Sequence, residues 1–246
     1  MSPSDQRPDA AAELRILHWN VHSWRDPAGR PNPPQLAALI AEHEPHLVSI
    51  VEVDEAWAGP SGLADVLDRT SGYRSVFVPN FEYGADGPAA GFGNALLSRL
   101  PIRTVRQRQL TWPPRIYDRT EPSEQRAVLM VEVDLPTGSC WVGVTHLPRS
   151  DGAARAAALR RLADIASALS EPWLLVGDFN VDGAGWLAEF PEWAAGPDPP
   201  EPSYPVPEPR ECIDYCVRPR RLPARAEVLG GSGSDHFAVL VRCWLR

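Results

Sequence analysis

Short apolar segments recur along the chain, many of them with a two-residue alternation, and turn-forming residues separate them. Such segments are typical of β-strands with one or both faces buried. Strands are predicted at 14–22, 46–53, 73–80, 92–110 (two strands), 126–135, 139–147, 172–180, 212–217, 226–229 and 236–245. The pattern therefore predicts a chain dominated by β-structure.

Three segments have helical features instead. Residues 34–44 place Leu36 and Ile40 on one face, and residues 62–70 form a second, shorter segment. Residues 151–169 are rich in Ala, Leu and Arg, which favour a helix. Strand hairpins interleaved with single helices predict packed sheets covered by helices.

The chain is expected to form one domain. Its first residues are polar and carry no strand pattern, so we expect a flexible tail at 1–12 and a single domain at 13–246. The segment 191–210 contains eight prolines. We predict an ordered or semi-ordered loop there, not a linker between domains.

Composition limits the classes of protein that this chain can be. It has 246 residues, of which 43% are hydrophobic and nine are tryptophan, enough for a substantial core. The formal net charge is -8, and all 24 basic residues are arginine. An acidic protein gains little from counterion release, which argues against broad binding to duplex DNA. A local arginine cluster facing one phosphate is still compatible with this charge.

The sequence shows no membrane segment and no disulfide framework. No apolar run approaches the roughly 20 residues that span a bilayer, and we expect a cytoplasmic monomer. Cys212 and Cys216 lie in a predicted strand, which would place them about 13 Å apart, too far for a disulfide. We expect buried free thiols, as suits a reducing cytosol. A metal site at this pair would require that 212–217 not be a strand.

Polar side chains lie at or near the ends of several predicted strands. Each alone has a structural explanation, because Asx residues make turns and a single histidine usually has a partner. Asp214 is harder to explain, since a carboxylate inside an apolar strand needs a partner. The set comprises Asn20, His22, Glu52, His146, Asp178, Asn180, Asp214, Asp235 and His236. Oxygen ligands suit Mg²⁺, and imidazoles beside carboxylates suit proton transfer, so the set predicts metal-assisted hydrolysis.

The stretch "GDFN" illustrates the geometry that alternation predicts. Asp178 and Asn180 are expected to point the same way, with Phe179 directed into the core. Gly177 is expected to leave room for a close approach of backbone or substrate.

The ordered motifs "HWNVH", "VEVD", "GNALLSRLPI", "EQRAVLMVEV", "VTHL", "GDFN", "IDY" and "SDH" resemble those of the endonuclease/exonuclease/phosphatase superfamily. The resemblance runs from about residue 14 to the C-terminus and is closest to small bacterial members with an Asn-x-His opening. It implies a DNase I-like, four-layer α/β/β/α sandwich with two mixed sheets flanked by helices. One departure is Val51, where members commonly have Gln before the metal-binding Glu.

The resemblance also implies a metal site and a catalytic base. Glu52 would be the main ligand of Mg²⁺ or Mn²⁺, with Asn20 and Asp235 close to the ion. His236 would act as general base, oriented by Asp214.

Other motif residues would bind the phosphate. Asp178 and Asn180 would orient the attacking water and the phosphate, and His146 would bind a phosphoryl oxygen. Arg126 is assigned to the phosphate, with a structural ion pair as the alternative. His22 is assigned to the phosphate or to a position near the metal.

These roles predict a divalent-metal-dependent phosphoesterase that hydrolyses a P–O bond by in-line attack of water. The expected substrate is a small-molecule or lipid-headgroup phosphodiester or phosphomonoester. A DNA or RNA nuclease is the alternative, and a non-hydrolytic binding or biosynthetic protein that reuses the fold is a further one. Specificity is expected to lie in the loops 81–92, 111–125 with Trp112, and 191–210 with Trp193 and Tyr204.

Overall fold

The computed structural model describes residues 12–55, 62–83, 90–111 and 125–245. The predicted tail at 1–12 lies outside this part, except for Ala12, which begins the first strand. Most of the predicted loop 111–125 lies outside it, as does Trp112. Of the predicted loop 81–92, residues 84–89 lie outside, whereas 81–83 and 90–92 belong to the strands on either side, so the strands are longer than expected.

The described residues form twelve strands, three α-helices and two short 3-10 helices, at His22–Trp24 and Gly185–Glu189. The strands are β1 (Ala12–Asn20), β2 (Leu47–Asp54), β3 (Arg74–Tyr83), β4 (Ala90–Ser98), β5 (Ile102–Thr111), β6 (Arg126–Leu135), β7 (Gly138–His146), β8 (Trp173–Asp178), β9 (Trp193–Gly196), β10 (Asp214–Pro219), β11 (Ala224–Leu229) and β12 (Ala238–Leu245). The α-helices are α1 (Pro33–His43), α2 (Gly62–Arg69) and α3 (Gly152–Ser167). All three predicted helices are therefore present.

The strands form two mixed sheets of six strands each. The first sheet has the order β11-β12-β1-β2-β4-β3, and the second has the order β5-β6-β7-β8-β10-β9. Each sheet contains one parallel pair near its centre, β1 with β2 and β7 with β8, and all other neighbours are antiparallel. Parallel neighbours end at the same edge of a sheet, so each pair brings two polar strand ends together.

Three apolar clusters show that the fold has four layers. Leu14, Val51, Val142 and others form a core between the two sheets. A second cluster packs α3 against the outer face of the second sheet, and a third packs α1 and α2 against the first. The predicted four-layer sandwich is confirmed.

The structure corrects the prediction that 191–210 is entirely a loop. Trp193–Gly196 is strand β9, which pairs with β10 at the edge of the second sheet. The alanines and glycine of this segment have low strand propensity, so the pattern does not show it. The strand forms through tertiary contacts, including an edge-on contact of Trp193 with Trp173 at a centroid distance of 5.6 Å.

The strand predicted at 212–217 begins two residues later than expected, at Asp214. The carbonyls of Cys212 and Ile213 accept hydrogen bonds from Gly183 and Phe179, in the segment that follows β8. These two residues therefore anchor a loop and do not extend the ladder.

All four cysteines are buried free thiols, as predicted: Cys140, Cys212, Cys216 and Cys243. Within the ranges described, no helix combines the length and the apolar character needed to cross a bilayer.

Candidate active site

The polar strand ends meet at one edge of the sandwich. Asn20 ends β1, His146 ends β7 and Asp178 ends β8, while Asp214 begins the antiparallel strand β10. The register places Asp178 between His146 on one side and Asp214 on the other. The amide of Asn20, from the first sheet, donates to Asp178 Oδ2 at 3.2 Å, so the two sheets are joined at this point.

A buried histidine–aspartate pair lies at the centre of the site. His236 Nδ1 is 2.8 Å from Asp214 Oδ2, which also accepts a hydrogen bond from Ser203 Oγ at 2.6 Å. The other oxygen, Oδ1, is 3.2 Å from His18 Nε2, and His18 Nδ1 is 3.0 Å from Ser49 Oγ. The Asp214 side chain has no solvent exposure, so its oxygens are committed to these partners.

These contacts shift the pKa values of the pair in opposite directions. Burial alone would raise the pKa of Asp214, but the charge of His236 and hydrogen bonds from His18 and His236 hold it below its usual range. Burial alone would lower the pKa of His236, but the negative charge of Asp214 and its hydrogen bond raise it to about 10. The pair is therefore an ion pair at neutral pH, with Nδ1 donating to Asp214.

Asp178 lies within reach of two histidines. Its Oδ2 atom is 3.5 Å from His146 Nε2 and 3.7 Å from His236 Nε2, and its side chain is buried. Burial and the negative charge of Asp214 raise the pKa of Asp178 to about 7. Its protonation is therefore sensitive to any cation that enters the site.

A bulge in β2 directs Glu52 into the site. Leu47 and Val51 face the core between the sheets, whereas Val48 and Val53 face the helices. Strict alternation would place residue 52 on the helix side. The pairing of β2 with β4 shifts between Ile50 and Val53, and Glu52 has a φ of 58°. A non-glycine residue in this region of backbone space costs of order 1–3 kcal/mol, and such strain is common at functional sites.

The tautomer of His146 follows from its contact with Arg126. Arg126 Nη1 donates to His146 Nδ1 at 2.9 Å, and both side chains are buried. Since a guanidinium can only donate, Nδ1 is the acceptor and the proton of a neutral imidazole is on Nε2. Burial and the charge of Arg126 hold the pKa of His146 well below its usual value. His146 is thus a neutral donor directed at the centre of the site.

The "GDFN" stretch differs in part from the expected geometry. β8 ends at Asp178, and Asn180 has a φ of 52°, so a turn and not strand alternation positions its side chain. Its Nδ2 donates to Leu147 O at 2.9 Å. Phe179 is buried, as expected. Gly177 is also explained, because a Cβ there would lie 1.9 Å from Thr145 O on the adjacent strand.

His22 and Asp235 form a pair at the rim. His22 Nδ1 is 3.0 Å from Asp235 Oδ2, with the two side chains 48% and 24% exposed. The hydrogen bond to Asp235 raises the pKa of His22. His22, Ser23 and Trp24 all have positive φ values, so the segment after β1 has a strained backbone. Burial of Trp24 anchors the end of this segment.

The donor set suits a divalent cation that prefers oxygen ligands. Asn20 Nδ2 donates to Glu52 Oε1 at 3.0 Å and to Asp178 Oδ2 at 3.2 Å, so the two carboxylates converge on one point. Asn20 Oδ1 accepts from the backbone N–H of His22, and the Nδ2 end of the amide is the end directed at the two carboxylates. Asp178, Asp214 and His236 also have ligand atoms within 4.8 Å of one another. Because Asp214 already makes hydrogen bonds to other side chains, we interpret this group as a hydrogen-bonded network and not as a metal site.

The structure brings all the predicted site residues to this edge of the sandwich and adds others that the sequence did not single out. His18 and Ser203 hold Asp214, and Ser234 Oγ donates to Asn20 O at 2.6 Å. Asn94 donates to the carbonyls of Ala127 and Val144, joining the sheets behind the site. The available signal was a polar side chain at an inward position of an apolar strand, as at His18.

A two-sheet sandwich with this site at one edge defines the DNase I-like class. The chain belongs to the endonuclease/exonuclease/phosphatase family, whose model matches residues 17–236. A search of curated proteins gives no significant match.

Several solved structures share the fold. A family member from Beutenbergia cavernae is 25% identical, with a TM-score of 0.73 over 95% of this chain and 72% of that one. One from Bacteroides vulgatus is 18% identical, with a TM-score of 0.76 over 96% and 100% of the two chains. A mannosyl-6-phosphatase from Bacteroides thetaiotaomicron is 17% identical, with a TM-score of 0.73 over 94% and 99%.

Proposed function

We propose that this protein is a Mg²⁺- or Mn²⁺-dependent phosphoesterase that hydrolyses a P–O bond by in-line attack of water. The observation that carries the proposal is the buried Asp214–His236 pair, whose Nε2 lies 3.7 Å from Asp178 Oδ2 and 3.5 Å from Asn20 Nδ2. Family membership supports a phosphoric ester hydrolase.

In this proposal His236 is the general base. Its Nδ1 is held by Asp214, which leaves Nε2 to take a proton from water and stabilises the imidazolium that forms. In the absence of a cation, the surrounding carboxylates keep His236 protonated, with a pKa of about 10. A bound Mg²⁺ or Mn²⁺ would offset the negative charge of Glu52, Asp178 and the phosphoryl group. That offset moves the pKa of His236 down towards the range of a working base.

Other residues of the chain position the phosphate and water. His146 donates from Nε2 to a phosphoryl oxygen, because Arg126 holds its Nδ1 as an acceptor. Asp178 and Asn180 orient the water and the phosphate, and the Asn180 amide is fixed by Leu147 O. Arg126 thus acts on the phosphate through His146, and its direct contact with substrate stays a prediction. We place Asn20 and Asp235 close to the cation, and His22 at the phosphate or near the cation.

We infer that the substrate is a small-molecule or lipid-headgroup phosphate ester. The net charge of -8 opposes wide contact with the backbone of nucleic acid. A structural relative carries the name mannosyl-6-phosphatase, which is consistent with a small phosphate ester. A nuclease is the alternative outcome, for which hydrolysis of DNA or RNA would fall steeply as salt rises.

The test is hydrolysis of p-nitrophenyl phosphate and bis-p-nitrophenyl phosphate with Mg²⁺, with Mn²⁺ and with a chelator. His236→Ala and Glu52→Ala are compared with His43→Ala and Glu42→Ala, which alter a half-buried and an exposed residue of α1. We expect metal-dependent turnover that only the first two variants lose. Wild-type activity no higher than that of His236→Ala would reject the proposal. Monoester turnover alone indicates a phosphatase, and diester turnover alone indicates a phosphodiesterase or nuclease.

A further inference from the structure

An arginine and a tyrosine extend the site beyond the residues assigned above. Arg149 follows β7 and His146 by a few residues, and its side chain is exposed. Its Cζ atom lies 4.4 Å from the centroid of the Tyr204 ring. The Tyr204 ring in turn lies 4.6 Å, centroid to centroid, from the His236 imidazole. The Tyr204 ring therefore contacts both Arg149 and His236, the proposed base.

Backbone contacts fix the position of Arg149. Arg155, in the first turn of α3, donates to the carbonyl of Pro148 at 2.9 Å and also to the carbonyl of Arg149. Asp151 caps α3 by accepting from the N–H of Ala154 at 2.9 Å. The turn that carries Arg149 is thus tied to the helix that follows it.

The position of Tyr204 is equally determined by the chain around it. Its carbonyl accepts from the N–H groups of Arg210 and Glu211 at 2.7 and 2.8 Å. Two residues later, the N–H of Val206 donates to the carbonyl of Asp235 at 2.8 Å. The proline-rich segment is therefore attached to the loop that carries His236, and the ring of Tyr204 is held beside the imidazole of the base.

The charges around Arg149 indicate what it binds. The centre of the site is acidic, and the Arg126 side chain is buried against His146. Arg149 is exposed beside the site, and no carboxylate of the described residues forms an ion pair with it. A guanidinium stacked on an aromatic ring keeps its N–H groups in plane and available to an anion. Phosphate and carboxylate are the groups that match this donor edge.

We propose that Arg149, held by Tyr204, is a subsite for a second anionic group of the substrate, a phosphate or a carboxylate separate from the scissile phosphate. This inference rests on the proposed phosphoesterase function. It narrows the substrate to a small phosphate ester that carries another acidic group, such as a bisphosphorylated sugar or a phosphorylated sugar acid.

The experiment compares substrates that differ in one anionic group. Phosphate release from glucose 6-phosphate, glucose 1,6-bisphosphate and 6-phosphogluconate is measured with Mg²⁺ for wild type, Arg149→Gln and Arg149→Lys. The control is Arg210→Gln, because Arg210 lies in the same segment as Tyr204 but is paired with Glu208 on the surface. A bisphosphate that is preferred over 6-phosphogluconate identifies a phosphate subsite, and the reverse order identifies a carboxylate subsite.

We expect wild type to prefer the substrates with a second anionic group over glucose 6-phosphate by roughly tenfold or more in kcat/KM, as a charge-assisted hydrogen bond allows. Arg149→Gln removes this preference and leaves glucose 6-phosphate turnover within about twofold, whereas Arg149→Lys retains part of it. Arg210→Gln behaves as wild type. Equal losses on all three substrates, or no loss on any, would overturn the subsite.

Failure of the proposed function is a distinct result. If wild type hydrolyses none of the three compounds, the same compounds serve as ligands in titration calorimetry. If wild type binds the two compounds with a second anionic group more tightly than glucose 6-phosphate, and Arg149→Gln does not, the subsite is supported even then. Equal affinities for both proteins would reject it.

Discussion

The two sides of the site differ in how far the protein itself buries their side chains and satisfies their hydrogen bonds. The base side is buried, and its carboxylate makes all its hydrogen bonds within the protein; its residues are His18, Ser203, Asp214 and His236. The carboxylate side is partly exposed and has positive φ values at two of its residues. The residues of this side are Asn20, His22, Glu52 and Asp235.

The difference shows which part of the site the folded chain forms alone and which part has charge available for a bound ligand. Asp214 and His236 neutralise each other, so the geometry of the base side does not depend on a bound ion. Glu52 and Asp178 both accept from the Asn20 amide, which is a neutral donor and does not offset the negative charge of Glu52. The base side is therefore preorganised, and we propose that a cation completes the carboxylate side.

The variant with the largest expected effect is Asp214→Asn, which tests the base side. An amide cannot stabilise the imidazolium, and it can hold the wrong tautomer of His236, so we expect kcat to fall by about 10²–10⁴-fold. Metal affinity, which we assign to the carboxylate side, is expected to change little. The measurements are steady-state hydrolysis of the aryl phosphates and calorimetric titration with Mn²⁺.

Asp198→Asn is the matched control, because Asp198 is an exposed residue of the proline-rich segment. It is expected to keep wild-type kcat. An Asp214→Asn enzyme with more than half of wild-type kcat would show that the buried pair has a structural role only.

Glu52→Gln tests the carboxylate side. Removing one charge while keeping the shape should weaken Mn²⁺ binding by at least about 10–100-fold, the loss typical of residues that only support a metal ligand, with a matching rise in the metal concentration needed for half-maximal activity. Saturating metal should restore much of the activity, unlike in Asp214→Asn. Glu42→Gln, on the exposed face of α1, is the control. Unchanged Mn²⁺ affinity in Glu52→Gln would mean that the cation is held elsewhere.

The sequence singled out all four residues of the carboxylate side but only Asp214 and His236 of the base side, and on neither side did it give the geometry that positions them. Asp214 and His236 were found because a carboxylate in an apolar strand and a histidine before the next strand are local signals. The bulge that turns Glu52 inward depends on the shifted pairing of β2 with β4, which one strand alone does not encode. Alternation likewise gave the wrong geometry for Asn180. The contact of Arg149 with Tyr204 joins residues far apart in the chain.

The pH dependence of stability tests the ion pair of the base side in metal-free protein. The pKa of His236 in the folded chain, about 10, lies above its ordinary value of 6.5. Its stabilising contribution is therefore complete below about pH 6.5 and is lost as pH rises through about 10. His236→Gln lacks this titration. The difference in unfolding free energy between the two proteins should shrink over this window by at least about 1.4 kcal/mol, the equivalent of one pKa unit. A constant difference would mean that the folded imidazole is neutral.

The smallest predicted effect concerns the backbone of the carboxylate side. At Glu52, whose φ is 58°, alanine carries the steric cost of left-handed backbone and glycine does not, so Glu52→Gly should be more stable than Glu52→Ala by up to about 1 kcal/mol. Glu82, on an exposed position of β3, provides the control pair, where glycine should be the less stable by about 0.5–1 kcal/mol. Denaturant unfolding of the four metal-free variants measures both differences. Opposite signs at the two positions show that the fold holds strain at Glu52 without a cation, whereas equal signs would assign the bulge no energetic cost.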